Sequence, residues 1–544
     1  MSTYCRAYQI AELRRHPEWR DAAGELRDDD VAYLWGDLVV RRGGVARDAD
    51  VVFQSDSDEW RAFCAGTLGF SAPEFSRPPC ALQPGPGGPS GRRLPFTAGQ
   101  RWLLEELNSD RPRIHNPRLA LNVEERLDPV AMETALAAIF DAHDALRFRI
   151  AREAGRWVQV VSDDPGIPLT YADLRGLPAG AAAAARKAMT IDAYNVLSRH
   201  TGPLLWFLYF AVDGDGGDAL VAVVNHLVAD GVSLFVLHSD LRKVMTQSAR
   251  GAEPRVPPAS DFESWARRCA AYTASPEAER ELRDYWLRLP WDRVRPLPLD
   301  IPEGRVVDPV SGRPGYGTLA TQTEVRVVME EDETDRWLRM AAGGRYDAMD
   351  LLVTALLVGY SELTGSRVLY LCDLDSDRNP GFPDVNLART VGCVAQFRPM
   401  VLDLGDASTP REALDAVHAQ RAAMPNHGRT LEWLLRRDDG LPVPEALSVL
   451  PPFPPDVWLN YRGRLDRWAT NGTMVDGDVD ELAHVNDETR RNTPLDFDVL
   501  VIRGRLEMRF AFSTSVLRRE TVERLADACL RCLRDLIPQA AVTA

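Results

Sequence analysis

The residues best suited to chemistry lie in one short stretch, 221–233, which reads VAVVNHLVADGVS. His226 follows an apolar run that predicts a buried strand, and Asp230 and Gly231 precede a helical pattern. An imidazole with a free pKa of about 6.5 suits proton transfer at neutral pH, and a strand end would hold it rigidly. Asp230 either contacts the imidazole or pins the loop by pairing with an arginine, and Gly231 permits the turn. The stretch predicts a general base, with a purely structural loop as the alternative.

Helices and strands alternate around this stretch and must position it. The predicted helices are Val130–His143, Ser233–Met245 and Asp350–Leu363, and the predicted strands are Leu146–Ile150, Ala219–Val224 and Val368–Leu371. Asp128 and Asp350 are the expected N-caps of the first and third helices, because aspartate accepts bonds from free N–H groups there. One face of the middle helix is apolar at helical spacing and should be buried: Leu234, Leu237, Leu241 and Val244. The alternation predicts a mixed α/β (α+β) fold.

The composition excludes several classes of protein. A formal net charge of −16 argues against a general binder of nucleic acid or of an anionic membrane, because both need a basic field. The chain has only two lysines, Lys187 and Lys243, so a Schiff-base or phosphate-loop lysine has few candidates. No serine-hydrolase elbow, zinc-protease motif or phosphate-loop motif occurs.

The cysteines and the start of the chain predict a cytoplasmic protein with reduced thiols. Eight cysteines are scattered along the sequence, and residues 1–20 are polar and charged rather than a secretory signal. Cys529 and Cys532 form a CxxC, but they fall inside the helical pattern of residues 520–537 and are expected to be structural. No apolar stretch approaches the roughly 20 residues of a membrane span.

One boundary stands out in the chain. Residues 76–92, SRPPCALQPGPGGPSGR, are too rich in proline and glycine for a helix or strand and predict a linker. Residues 1–75 form a predicted small N-terminal appendage for docking or stabilisation, with helical patterns at 10–26 and 58–68 and strand-like runs at Val31–Leu34 and Asp37–Arg41. After the linker, no comparable break occurs.

Six motifs after the linker occur in the order found in one known family. The segment 225–231, NHLVADG, is similar to that family's HHxxxDG signature, and the other matches are 94–104, 141–150, 261–265 with 285–286, 390–399 and 494–510. Over residues 94–537 the chain resembles the condensation domains of nonribosomal peptide synthetases, within the chloramphenicol acetyltransferase-like superfamily. The resemblance implies two such lobes in a V-shaped pseudo-dimer with a central tunnel. Residues 93–275 would form the lobe with the motif, and 276–544 the other.

The resemblance also implies roles for individual residues. His226 matches the catalytic second histidine, which takes a proton from the attacking amine or hydroxyl or orients that nucleophile. Asp230 matches a structural aspartate whose expected arginine partner is Arg147 or Arg378. The donor would be a thioester on a carrier-protein phosphopantetheine arm, with no metal, nucleotide or redox cofactor.

The expected partners follow from the same resemblance. Because no carrier motif or second family-sized region occurs, the chain is expected to be free-standing, with its carrier protein supplied in trans. The acceptor would be a small-molecule or carrier-bound amine or alcohol, and the product an amide or ester in a specialised-metabolite pathway.

Two departures leave alternatives open. Asn225 replaces the first histidine of the motif; it cannot act as a base, but its amide can hold a loop by hydrogen bonds. A non-catalytic recruitment module is therefore one alternative. Epimerization domains share the fold, and 385–399, 425–428 and 457–466 are similar to their motifs, but the glutamate expected within 371–380 is missing. Asp373 or Asp375 would have to replace it.

Overall fold

A computed structural model describes residues 2–9, 31–35, 38–41 and 91–537 of the chain. Within the last range the gaps are 107–116, 154–155, 163–165, most of 176–203, 214–216, 376–377, 379–380, 438–442 and 466–488. Before residue 91 only the backbone of three strands is described. The two helical patterns predicted at 10–26 and 58–68, and the linker up to residue 90, lie outside the described residues.

The first lobe is built on a mixed seven-stranded sheet in the order β2-β3-β1-β8-β9-β10-β5. Its strands are β1 (Ser2–Gln9), β2 (Val31–Trp35), β3 (Leu38–Arg41), β5 (Arg118–Val123), β8 (Leu169–Asp173), β9 (Leu205–Ala211) and β10 (Asp218–Val224). A smaller sheet holds β4 (Arg92–Leu94), β6 (Phe148–Glu153) and β7 (Arg156–Val161). Because β1 pairs in parallel with β8, the N-terminal strands continue the first lobe's sheet.

The second lobe is built on a mixed six-stranded sheet in the order β13-β18-β17-β16-β14-β15. Its strands are β13 (Gln322–Met329), β14 (Val368–Asp375), β15 (Gln396–Asp403), β16 (Val457–Arg464), β17 (Leu495–Ile502) and β18 (Arg505–Ser513). A hairpin of β11 (Arg305–Val307) and β12 (Pro314–Tyr316) stands apart from this sheet. The lobe boundaries predicted from sequence remain predictions.

Helices cover the sheets of both lobes. They are α1 (Ala98–Glu106), α2 (Pro129–Ala142), α3 (Gly231–Ala249), α4 (Phe262–Thr273), α5 (Pro276–Asp284), α6 (Glu331–Ala342), α7 (Ala348–Thr364), α8 (Pro410–Ala422), α9 (Thr430–Leu435) and α10 (Arg519–Leu536). The predicted burial of Leu234, Leu237, Leu241 and Val244 on α3 is confirmed. Cys529 and Cys532 are buried within α10, as the helical pattern predicts.

The caps show how local sequence starts these helices. Asp128 caps α2 as predicted, accepting a bond from the backbone N–H of Ala131 at 2.8 Å. The predicted cap of α7 is wrong: Asp347 is the N-cap, and Asp350 completes a capping box three residues later. Each aspartate accepts the backbone N–H of the other, so the two patterns are hard to tell apart in sequence.

The two lobes are joined by a segment that leaves the second lobe and returns to it. This crossover segment, residues 381–395, lies between β14 and β15 of the second sheet. Its apolar side chains nevertheless belong to the core of the first lobe: Phe382, Leu387, Val391, Cys393 and Val394. Burial of these side chains stabilises the fold by about 25 cal/mol for each Å² of apolar surface removed from water. It also fixes the segment beside β10 and α3.

Candidate active site

His226 lies in a turn directly after β10, whose seven residues are all buried. The strand is held on both sides, because β10 pairs antiparallel with β9 and with β5. Its ladder continues to the next residue, since the backbone N–H of Asn225 donates to the carbonyl of Leu204 at 2.7 Å. The imidazole is half-buried, so it is positioned rigidly and is still reachable.

Asn225 is a buried structural residue of this turn. Its amide nitrogen donates to the carbonyl of Leu197 at 3.3 Å, and its amide oxygen accepts the backbone N–H of Leu227 at 3.0 Å. Only 2% of the residue is exposed. The amide therefore holds the loop by hydrogen bonds, as anticipated for an asparagine in this position.

Asp230 begins α3 as its N-cap. Its carboxylate accepts both the backbone N–H and the hydroxyl of Ser233, at 2.9 and 2.7 Å. The same carboxylate accepts the backbone N–H groups of Val394 and Ala395 in the crossover segment, at 3.0 and 2.9 Å. One fully buried side chain thus fixes both the end of the motif loop and the crossover segment.

The arginine partner of Asp230 is Arg378. Its two terminal nitrogens lie 2.7 and 2.6 Å from the two carboxylate oxygens, and one of them also contacts the Ser233 hydroxyl at 3.1 Å. Burial opposes ionisation of Asp230, but the Arg378 charge and the surrounding donors outweigh it and hold the pKa of Asp230 below its ordinary value. The carboxylate is therefore ionised at neutral pH, and its oxygens are already engaged in structural hydrogen bonds.

Arg147 is not the partner of Asp230, and Gly231 is not needed for the turn. Arg147 ends a short 3-10 helix, Asp144–Arg147, and makes no bond to Asp230 in the described part of the chain. Gly231 is the first residue of α3; its φ is outside the left-handed region, and an added Cβ would meet no atom within 4 Å. The turn thus does not require glycine at 231, and the space beside it is open.

Cys393 is the side chain of the crossover segment that reaches His226, and sequence reasoning gave it no role. Its Sγ lies 3.9 Å from Nδ1 of the imidazole. Burial, together with the negative charges of Asp230 and Glu432, raises the pKa of the thiol well above its usual range. The thiol is therefore neutral. The motif at 390–399 marked this segment, but the residue type alone gave no sign of the contact.

Helix α1 supports the motif loop from the other side. The amide nitrogen of Gln100 donates to the carbonyl of Leu227 and to the side chain of Gln159, at 2.8 Å in both cases. Gly99 faces the carbonyl oxygen of Ala395, which an added Cβ would approach to 2.4 Å. The helix therefore packs closely between the motif loop and the crossover segment.

Aromatic side chains close the region where the lobes meet. The rings of Trp102, Phe397 and Trp458 lie 4.3–5.0 Å apart between centroids. Glu432, buried on α9, accepts the backbone N–H of Phe397 at 2.9 Å.

A cavity of about 260 Å³ lies at the C-terminal end of α1. Residues of both lobes line it, including Glu105 of α1, Arg313, Tyr370, Arg436 and Leu450. Glu105 is five residues after Gln100, which places it roughly 8 Å further along the helix axis from the motif loop. Glu105 also forms ion pairs with Arg313 and Arg436, at 2.5 and 3.1 Å, so these charges join the lobes.

Of the two residues proposed to replace an epimerase glutamate, Asp373 is not placed as a second base. Asp373 is buried and paired with Arg398, whose Nε lies 3.0 Å from one carboxylate oxygen. The side chain of Asp375 lies outside the described residues. In the described ranges, no three or more His, Cys, Asp or Glu side chains are grouped as metal ligands, and no helix has the length and apolar character needed to cross a membrane.

The fold and the site define a class of protein. Two lobes on mixed sheets, joined by a crossover segment that meets a strand-end histidine and a buried aspartate, form the chloramphenicol acetyltransferase-like architecture. The Condensation domain family matches residues 91–543, and the chain belongs to that family. Condensation domains are acyltransferase-type enzymes that work with carrier proteins in nonribosomal peptide and polyketide biosynthesis. The predicted family and fold are thereby confirmed.

Two curated relatives illustrate the match. One of the linear gramicidin synthase proteins of Brevibacillus parabrevis is 29% identical over 451 residues, 82% of this chain and 6% of that protein. Chondramide synthase cmdD of Chondromyces crocatus is 30% identical over 446 residues, 80% of this chain and 11% of that protein. The chain thus spans about a tenth or less of the length of these relatives.

Solved structures share the fold at low identity. The epimerization domain from the third module of tyrocidine synthetase B has a TM-score of 0.64 at 21% identity, covering 82% of this chain and 97% of that one. A condensation domain that mediates chain release from the enacyloxin polyketide synthase has a TM-score of 0.58 at 18% identity, covering 84% of each chain.

Proposed function

We propose that this protein transfers an acyl or aminoacyl group from a carrier-protein phosphopantetheine thioester to an amine or a hydroxyl, with His226 as the general base. The observation that carries the proposal is the position of His226 on a loop that is fixed from three sides. Asn225 holds its start, Asp230 with Arg378 holds its end, and Gln100 holds its middle. Such rigidity serves catalysis, because a base must stay within hydrogen-bond reach of the proton it takes.

The proposed chemistry needs one catalytic group from this chain, the imidazole of His226. His226 takes the proton of the attacking nitrogen or oxygen as the new bond to the thioester carbonyl forms. The C–S bond then breaks, and the leaving phosphopantetheine thiolate takes that proton from the imidazolium. Asp230 is not available for this step, since its carboxylate is saturated by Arg378, Ser233 and the crossover segment. No bound cofactor is required, and the carrier is proposed to come in trans, in the cytoplasm.

The cavity between the lobes is the proposed inner part of a substrate tunnel. Its walls combine apolar residues of 447–453 with the ion pairs of Glu105, and the open space beside Gly231 lies at the start of α3. An acyl chain or acceptor would then approach His226 along α1.

The experiment is intact-protein mass spectrometry of aminoacyl-loaded carrier proteins, offered as separate proteins together with a mixture of amines and alcohols. Release of the acyl group onto a nucleophile by the wild-type chain, and its loss with His226→Ala, is the expected result. Equal release by both proteins would remove the proposed role of His226.

Two other functions give different results in the same experiment. An epimerase would leave the acyl group on the carrier and exchange its α-proton for deuterium in heavy water; the Asp373–Arg398 pair argues against this, because that carboxylate is already engaged. A recruitment module would do neither, and would bind the carrier without changing its mass.

A further inference from the structure

We propose that Cys393 is a positioning residue for His226: its sulfur accepts the hydrogen bond of Nδ1–H and leaves Nε2 as the nitrogen that takes the proton. The inference rests on the proposed function, in which His226 is a general base. Its geometric basis is the 3.9 Å separation between Sγ and Nδ1, within the range of a hydrogen bond to sulfur.

The position of the thiol is set by residues of the motif itself. Immediately before Cys393, the N–H of Gly392 donates to the Ser233 hydroxyl at 3.0 Å, and the Gly392 carbonyl oxygen lies 2.9 Å from the same hydroxyl oxygen. Immediately after it, the N–H groups of Val394 and Ala395 bond to Asp230. Because Ser233 and Asp230 lie within seven residues of His226, the thiol and the imidazole are held in one rigid unit.

Neighbouring side chains leave little freedom in this unit. An added Cβ at Gly392 would approach the ring of Phe262 to 2.1 Å, and the Cys393 carbonyl lies 3.5 Å from the Thr97 hydroxyl. Only 2% of Cys393 is exposed, so the thiol is covered by protein and closed to solvent. Burial makes a positioning role fit better than a nucleophilic one.

The direction of the hydrogen bond follows from the chemistry of imidazole. A neutral imidazole has one N–H and one lone pair, on different nitrogens. If the thiol donated to Nδ1, the proton would sit on Nε2, and Nε2 could not accept a proton from a nucleophile. A base therefore requires Nδ1–H to point to sulfur, and the partner on one nitrogen sets the tautomer at the other. Sulfur is a weak acceptor, so the bias is modest and removable by mutation.

The test is nitrogen NMR of the full chain labelled at the histidine side chains. The His226 signals are identified by their loss in His226→Gln. We expect the Nδ1–H tautomer in the wild type at pH 8, a shift toward Nε2–H in Cys393→Ala, and retention of Nδ1–H in Cys393→Ser, whose hydroxyl oxygen is also an acceptor. Cys269→Ala removes another buried thiol of the same core and should leave the signals unchanged.

Turnover in the carrier assay gives the second readout. Cys393→Ala should lower kcat roughly 10-fold with KM unchanged, as for loss of a partner that orients a histidine, and Cys393→Ser should restore it. An Nε2–H tautomer in the wild type, an unchanged tautomer in folded Cys393→Ala, or an acyl adduct on Cys393 would each overturn the proposal. Undiminished turnover by His226→Ala would instead overturn the proposed function, whichever tautomer is seen.

Discussion

The guanidinium of Arg378 donates hydrogen bonds to both carboxylate oxygens of Asp230, at 2.7 and 2.6 Å, and thereby joins two segments that are 148 residues apart. Asp230 is fully buried and the Arg378 side chain is 10% exposed. A bidentate, buried pair of this kind is strong when complete and costly when one partner is removed. It ties the motif loop to the strand end that leads into the crossover segment.

Removing this carboxylate should destabilise the fold as well as the site. Asp230→Ala leaves the Arg378 charge and two crossover N–H groups without their acceptor, so we expect the free energy of unfolding to fall by about 3–5 kcal/mol. Urea denaturation measures it. Arg268→Ala is the control, because its pair with Asp384 is exposed and should contribute less than about 1 kcal/mol. A stable but inactive Asp230→Ala protein would contradict the structural role.

Acid should weaken the same contact. Because the pKa of Asp230 is lower in the folded protein, its contribution to stability is present above the ordinary pKa of about 3.9 and is lost as pH falls through the folded pKa. Asp230→Asn lacks this contribution. The difference in unfolding free energy between wild type and Asp230→Asn should therefore shrink below about pH 4. A difference that stays constant from pH 6 to pH 3 would exclude Asp230 as the titrating group.

Much of the site could be predicted from local sequence. The strand to Val224 and the buried face of the following helix follow from periodicity alone, since the pattern of apolar residues reflects which face is covered. Periodicity predicted that helix as Ser233–Met245, whereas it runs from Gly231 to Ala249. His226 and Asp230 stand between these elements, and their spacing marked them. Arg378 was one of two arginine candidates, and only the three-dimensional path of the chain selects it over Arg147.

The remaining contacts depend on where distant segments meet. Cys393 is 167 residues from His226, and no short-range pattern places a crossover segment of the second lobe in the core of the first. The cap of α7 was misplaced for a different reason. Asp347 and Asp350 both satisfy a capping pattern, and only the backbone conformation shows which of them is the N-cap. The close packing of α1 at Gly99 against the carbonyl of Ala395 likewise cannot be predicted from sequence spacing.

Loss of the imidazole should abolish most of the proposed activity. His226→Ala is expected to lower turnover by about 10²–10⁴, the usual contribution of a general base. His238→Gln is a matched control, since His238 is a buried histidine on α3; burial and the nearby Arg242 lower its pKa, so it is neutral at pH 7. The fall in turnover at low pH should persist in His238→Gln. If it disappeared in that variant, the fall would be due to His238 and not to His226.

The asparagine that replaces the first motif histidine should matter for loop order. Asn225→Ala leaves the Leu227 N–H and the Leu197 carbonyl unpaired in a buried place, each costing about 1–3 kcal/mol. Asn225→His offers a ring acceptor and donor again and should recover much of the loss. Urea denaturation and the carrier assay are run on both. An Asn225→Ala protein as stable as the wild type would show that these bonds contribute nothing.

Filling the cavity between the lobes should separate substrate access from chemistry. Leu450 lines the cavity and is only partly buried, so Leu450→Trp can narrow a space of about 260 Å³ without displacing a fully buried core residue. We expect KM for the carrier-bound substrate to rise while kcat, set by His226, changes little. Val443→Trp introduces the same side chain at a residue that is 48% exposed and does not line the cavity, and it should behave like the wild type. If both variants leave KM unchanged while urea denaturation shows them folded, the cavity is not on the substrate path, and access to His226 must lie on the Gly231 side of the loop.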